Sequence, residues 1–370
     1  MKIKIPVYEP LLIGSVKKYV NDCINTSWIS SRGKYINAFE EKFGSYIGVK
    51  NSVAVSNGTV ALHLALLALD IKEGDEVIVP TLTYIATVNP VKFVGATPVF
   101  VDARRDTWQI DYEKIEQRIS SKTKAIIITH LYGHPCEMDQ IMHICKKYNL
   151  YLIEDCAEAL GSKYKGVHVG TFGDISTFSF YGNKTITTGE GGMVVTNNDK
   201  LKDKIFLYKM QGVSSTKRYW HEVIGYNYKM TNICAAIGLA QLEKVKMILD
   251  MKKNVAKWYS DSFDQLGIDY HKSQKSVFNS YWMFSVLTGS NKQRNSLQDY
   301  LLKRYGIETR PTFYPVHTMP MYYKKNNSFP ISEDIGLRGV NLPSSANLSK
   351  KKVEYISRII GTFIKGKKTY

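Results

Sequence analysis

The apolar positions between residues 50 and 200 fall into short runs with almost no alternation. SVAVS (52–56), EVIVP (76–80), PVFVD (98–102), AIIITH (125–130), YLIED (151–155), ISTFSF (175–180) and GMVVTN (192–197) are rich in β-branched residues and bounded by Gly, Pro, Asp or Asn. Runs that are apolar on both faces predict strands of a sheet covered by helices on both sides. Between them, VALHLALLAL (60–69) is nearly all apolar and predicts a buried helix. EMDQIMHICKKYN (137–149) has helical spacing and a basic last turn. Strands alternating with helices make a layered α/β domain. After residue 230 the texture changes. The stretch 233–263 predicts one long helix leading out of the first unit, and YWMFSVLT (281–288) with RNSLQDYLLKRYG (294–306) predicts a smaller α+β unit. The expected division is therefore residues 1–245 against 246–370.

A length of 370 residues suits two such units. No run approaches the roughly 18 consecutive apolar residues of a membrane span. MKIKIPVYEP lacks the apolar core and cleavage site of a secretory signal, so a cytoplasmic protein with no membrane insertion is expected. Five scattered cysteines without a C-x-x-C pair point to reduced thiols and to no metal site. The net charge of +17, thickened by KKK (350–352) and KGKK (365–368), fits a solvated basic surface or the attraction of a polyanionic small molecule. No helix-turn-helix, zinc-finger or RNA-binding signature accompanies it, and no nucleic-acid partner is expected.

In open α/β sheets the chemistry gathers beyond the C-terminal ends of the strands. After 52–56 come Asn57, Gly58 and Thr59, directly before the buried helix. That is either a plain turn with its cap or an anion cradle at a helix start. After 76–80 comes Tyr84, a core aromatic or a stacking face. Asp155 closes an apolar strand, where a carboxylate needs a partner. Ser179 follows the sixth run, and Lys184 lies between Gly182 and the glycines of TTGEGG. Alone, Lys184 reads equally as a loop charge or as a nucleophilic amine. Together, the cradle, the aromatic, the carboxylate and the amine match the phosphate, ring, ring nitrogen and aldehyde of pyridoxal 5′-phosphate (PLP).

WISSRGKYINAFEEKFGSYIG (28–48), PTLTYIATVNPV, LIEDCAEALGSKYKG, GDISTFSFYGNKTITTGEGGMVVTN, GYNYKMTNICAAIGLAQLE and RPTFYPVH (310–317) run nearly end to end along the chain. In these motifs the sequence resembles the DegT/DnrJ/EryC1/StrS sugar aminotransferases. The resemblance implies the aspartate aminotransferase-like fold (PLP fold type I), with a mixed, mostly parallel sheet between helices. It also implies Lys184 as the covalent anchor of PLP and as catalytic base, and Asp155 as partner of the ring nitrogen. Tyr84 then corresponds to the stacking aromatic, and Gly58, Thr59 and Ser179 to phosphate ligands. Asn227 corresponds to a residue reaching the neighbouring subunit's cofactor, hence a homodimer with shared sites. Glu158 corresponds to a cofactor-binding position beside the ring oxygen of PLP, where most members carry glutamine, and a carboxyl group there must be protonated or paired.

The implied reaction moves the amino group of L-glutamate to C4 of a nucleotide-linked 4-keto-6-deoxy sugar, as in O-antigen synthesis. EDCAEA with FYGNKTITTGEGGM points to a GDP-linked sugar, and Lys184 argues against the dehydratase subgroup, which has histidine there. Arg218, Arg310, Tyr314 and His317 are candidates for the nucleotide diphosphate, although Arg310 also reads as a surface ion pair and His317 as a core histidine. A UDP- or dTDP-linked sugar, or a PLP-binding regulator without turnover, are the alternatives.

Overall fold

The computed structural model describes residues 3–366; the final residues of the 365–368 basic run lie outside the described residues. Seven strands form the main sheet: β1 (Asn51–Val55), β2 (Glu76–Pro80), β3 (Thr97–Val101), β4 (Thr123–Thr129), β5 (Tyr151–Asp155), β6 (Ile175–Ser179) and β7 (Gly192–Thr196). Their order is β1-β7-β6-β5-β4-β2-β3. β7 runs antiparallel to β1 and β6, and every other neighbouring pair is parallel. Successive side chains leave a strand on opposite faces, and here both faces are dry. Val77, Val79, Ile127 and Ile153 pack with Leu62, Leu64 and Leu66 of the helix Gly58–Ala68. Ile78, Ile126, Ile128 and Leu152 pack with Met138, Ile141 and Cys145 of the helix Met138–Tyr148. Double burial is why the sequence shows runs instead of alternation.

The expected single helix over 233–263 is two helices, Asn232–Leu242 and Val245–Leu266. Lys244 leaves helical geometry between them (φ −114°, ψ 8°). The first helix is buried nearly all round, against the helices Val16–Asn25 and Lys34–Ile47, whereas the second buries one face. The change of direction lets each satisfy its own environment.

Strands β8 (Phe284–Leu287), β9 (Arg310–Pro311) and β10 (Gly339–Leu342) form a second, antiparallel sheet in the order β8-β10-β9. The helices Val245–Leu266 and Lys350–Ile364 pack there around Tyr259, Phe263, Phe284 and Ile356. Residues 4–9, assigned from sequence to the first unit, run with this second one. Ile5 bridges Ile307, the Val7 N–H donates to Glu308 Oε2 (3.0 Å), and the Val7 carbonyl accepts the Ser344 N–H (2.9 Å). At the end of β3, buried Asp102 accepts the N–H groups of Ile331 and Ser332, capping the helix Pro330–Arg338 and joining the units. Among the described residues no helix is long and apolar enough to cross a membrane, and the five cysteines are free.

Candidate active site

The C-terminal ends of β2, β4, β5 and β6 open onto a cavity of about 620 Å³. It brings together Gly58, Thr59, Tyr84, Asp155, Glu158, Ser179, Lys184 and Arg310 of the residues expected from sequence.

The helix start is built by Asn57, whose side chain accepts the Val60 N–H (3.0 Å) and so caps the helix. With Asn57 as the cap, the N–H groups at Gly58 and Thr59 are left without intrahelical acceptors. A Cβ on residue 58 would stand 2.9 Å from the Ser179 Cβ, so glycine is what lets the helix start and the end of β6 close into one cradle. Tyr84 lies at the mouth, its ring 5.4 Å from that of Phe313.

Asp155 and Glu154 leave β5 on opposite faces and do different work. Glu154 is a saturated structural carboxylate. It accepts the N–H groups of Gly170, Phe172 and Gly173 (2.7–2.8 Å), the Ser176 hydroxyl (3.1 Å) and His130 Nε2 (3.1 Å). His130 Nδ1 accepts the Cys136 N–H, so its proton sits on Nε2. Burial alone would raise the Glu154 pKa, but these hydrogen bonds, led by His130, outweigh it and hold the carboxyl below its usual range. Among the described residues, Asp155 accepts only the Thr87 hydroxyl (2.8 Å) and the Ala157 N–H (3.1 Å). Burial pushes its pKa up, against those bonds and the Lys184 charge. A buried acid left short of positive charge at a cavity wall suits a cationic ring nitrogen.

Lys184 has a side-chain exposure of 13%. Its backbone is held by the Tyr8 hydroxyl, which donates to the Lys184 carbonyl (2.7 Å). Its amine lies 4.0 Å from the centre of the Trp282 indole and 3.8 Å from Glu158 Oε1. The indole is fixed in turn, its N–H donating to the Asn183 carbonyl (2.7 Å). Burial lowers the amine's pKa, with Glu158 and Asp155 partly opposing. Burial also raises the Glu158 carboxyl to about 7. The notch before Lys184 is open, since a Cβ at Gly182 would meet nothing within 4 Å.

Three candidates for the diphosphate do not line the cavity. His317 is a core histidine, 3% exposed, bonded to Thr81 Oγ1 (2.7 Å) and Glu333 Oε1 (3.1 Å). Tyr314 points outward, its hydroxyl taking a hydrogen bond from Arg294 (3.3 Å). Arg218 stands on an exposed turn over the Tyr219 ring. Asn227, expected to act on a neighbouring subunit, pairs with Met210 and is likewise absent from the wall. Sequence reading missed Trp282, Thr87 and Tyr8. Thr87 lies in the quoted TLTYIAT run, but Tyr8 and Trp282 reach Lys184 from far along the chain and carry no local signal.

The donor set fits PLP. Free N–H groups beside Ser179 suit a phosphate, Asp155 a protonated ring nitrogen, and the desolvated Lys184 amine an aldehyde.

Comparison with known proteins gives a consistent result. The chain is 58% identical to the GDP-perosamine synthase of Escherichia coli O157:H7, covering 98% of this chain and 99% of that one. It is 48% identical to the GDP-perosamine synthase of Vibrio cholerae, covering 97% and 99%. Among solved structures it superposes with a TM-score of 0.92 on Helicobacter pylori PseC, an aminotransferase involved in the biosynthesis of pseudoaminic acid, at 28% identity over 98% and 99% of the chains. It superposes equally well on Spr1654 of Streptococcus pneumoniae in its PLP form, at 28% identity over the full length of both. The sequence pattern of one family spans residues 12–361, and the chain belongs to that family, the DegT/DnrJ/EryC1/StrS aminotransferases.

Proposed function

We propose that this protein is a cytoplasmic, PLP-dependent aminotransferase that converts GDP-4-keto-6-deoxy-D-mannose and L-glutamate to GDP-perosamine and 2-oxoglutarate. The observation that carries the reading is the meeting of Lys184, Asp155 and the helix start at Gly58 on one cavity, in a chain 58% identical to a GDP-perosamine synthase.

PLP, when bound, supplies an aldehyde and an electron-withdrawing ring that stores the amino group between the two substrates. Gly58, Thr59 and Ser179 would hold its phosphate, and Asp155 would supply the negative charge its ring nitrogen requires. Lys184 would anchor the cofactor, and its Nζ is placed as the base that would take a proton from the α-carbon of glutamate and deliver one to C4 of the sugar. Trp282 covers the amine and excludes water from one side of it.

Arg310 is the candidate for the nucleotide diphosphate that does line the cavity; its side chain is half exposed and only loosely tied to Glu308 (3.5 Å). A charge-assisted hydrogen bond is worth about 1.5–3 kcal/mol, so Arg310→Ala is expected to raise the KM for the sugar nucleotide by roughly 10–100-fold. The KM for glutamate should change little, and equal rises in both would remove Arg310 from this role.

Activity assays decide the substrate. Protein incubated with glutamate and a panel of GDP-, UDP- and dTDP-linked 4-keto-6-deoxy sugars should aminate the GDP-mannose derivative fastest. Preference for a UDP or dTDP sugar would replace the assignment, and cofactor binding with no amination of any sugar would favour a regulator.

The reading includes a homodimer with shared sites. Tyr219, Trp220 and Ile224 expose large apolar surface on the segment beside Asn227, and Asn227 does not face its own cavity. Mixing inactive Lys184→Ala with Asn227→Ala chains is expected to restore roughly a quarter of wild-type activity, because half of randomly mixed two-fold dimers are hybrids with one intact site. No recovery after verified subunit exchange would show that each site is complete within one chain.

A further inference from the structure

Glu158 is a buried acid whose two oxygens have separate surroundings. Oε2 accepts the N–H of Tyr132 (2.8 Å). Tyr132 is itself immobilised: its backbone is left-handed (φ 56°), its hydroxyl accepts the Phe313 N–H (2.9 Å), and its ring stacks on Trp282. The carboxyl is thereby pinned, with Oε1 turned to the Lys184 amine 3.8 Å away. The other titratable groups facing this pair are Asp155, at the end of β5, and the Tyr132 phenol, from the turn after β4. Trp282, from the second unit, adds an uncharged wall.

We propose that Glu158 is the proton store of Lys184: Oε1 takes the proton that Nζ must lose to become a base, and gives it back when the amine is reprotonated. This rests on the assignment of Lys184 as the reacting amine. In the step an N–H bond of the Lys184 ammonium breaks, its electron pair stays on nitrogen, and an O–H bond forms on Glu158. An ammonium and a carboxylate become an amine and a carboxylic acid, with net charge unchanged. A closing movement of about 1 Å brings the two atoms within hydrogen-bond range. Both groups are desolvated, so the neutral pair is not penalised as an ion pair would be in the same place. The pKa directions agree, since burial raises the acid and lowers the amine. Two groups coupled so closely titrate as a pair.

Infrared spectroscopy of cofactor-free protein across pH 5–9 tests this. Wild type should show a carboxylic-acid C=O band that fades through neutral pH and is missing from Glu158→Gln. In Lys184→Met, where the opposing cation is gone, the same band should persist about 1–3 pH units higher. That variant keeps Glu158 and its contact to Tyr132, so the test survives if Glu158→Gln folds poorly. No Glu158-dependent band, or a midpoint unmoved by Lys184→Met, overturns the proposal. A second reading separates it from the functional assignment. With PLP added, wild type should show a Lys184-dependent visible absorbance whose pH titration loses a step in Glu158→Gln. If no Lys184-dependent absorbance forms, the functional assignment fails whatever the infrared bands show. If it forms but titrates identically in both proteins, only the proton store fails.

Discussion

Lys184→Ala is expected to fold, to retain PLP non-covalently and to turn over at least about four orders of magnitude more slowly than wild type. General-base catalysis alone supplies about 10²–10⁴-fold, and on the proposed assignment the same amine also makes the covalent link, so the losses compound. Folding should be unharmed because the side chain contributes little to it: the amine is desolvated, its ionic contact to Glu158 is long at 3.8 Å, and its backbone anchor to Tyr8 uses only the carbonyl. The measurement is single-turnover amination together with the visible spectrum of the loaded protein. Loss of both the lysine-dependent absorbance and turnover, with an unchanged melting temperature, is the predicted result. Retained turnover would remove Lys184 from the mechanism, and with it the central assignment.

The second large effect concerns stability. Lys252, on the helix Val245–Leu266, is 1% exposed and donates to the main-chain oxygens of Trp282 (3.2 Å) and Ser344 (2.8 Å), beneath the ring of Tyr8. No carboxylate pairs with it among the described residues, and burial lowers its pKa from 10.5 to about 7. A group depressed in the folded state favours folding most above its unfolded pKa. Wild-type stability should thus carry a term that falls from pH 10.5 towards 7 and levels off below 7, where native and unfolded chains are both protonated. A depression of this size corresponds to about 4–5 kcal/mol. Lys252→Met removes that term but leaves two buried carbonyls without donors, at about 1–3 kcal/mol each. The variant is expected to match or exceed wild type below pH 7 and to fall below it near pH 10. Denaturant melts at several pH values check this; parallel curves for the two proteins would show that Lys252 is charged throughout.

How much of this was visible in the sequence depends on where the physics is local. Strands such as Glu76–Pro80 and Tyr151–Asp155 announce themselves because burial on both faces demands an unbroken apolar run. Asp155, Ser179 and Lys184 stand out because each interrupts or follows such a run. The break at Lys244 has no such mark: helical spacing continues across it, and only the different surroundings of the two helices require a turn. The two readings of His317 could not be separated from the sequence for a related reason. Nothing in RPTFYPVH shows whether the imidazole is buried, because its partner there is Thr81, 236 positions away. Tyr8, Trp282 and Lys252 converge behind Lys184 from three remote segments, and no short window could have grouped them.

The pairing of residues 4–9 with the second unit bears on how the enzyme comes into being. Val7 meets Glu308 across 301 positions, and the Glu9 N–H meets Ser345 Oγ across 336. Tyr8, between them, is the strut beneath Lys184. The large sheet can form while the chain is still being made, since domains tend to fold as they emerge, yet the strut has nowhere to lodge until the distal residues have been synthesised. A nascent chain would therefore hold Lys184 without its final brace until the residues around Glu308 and Ser345 have been made.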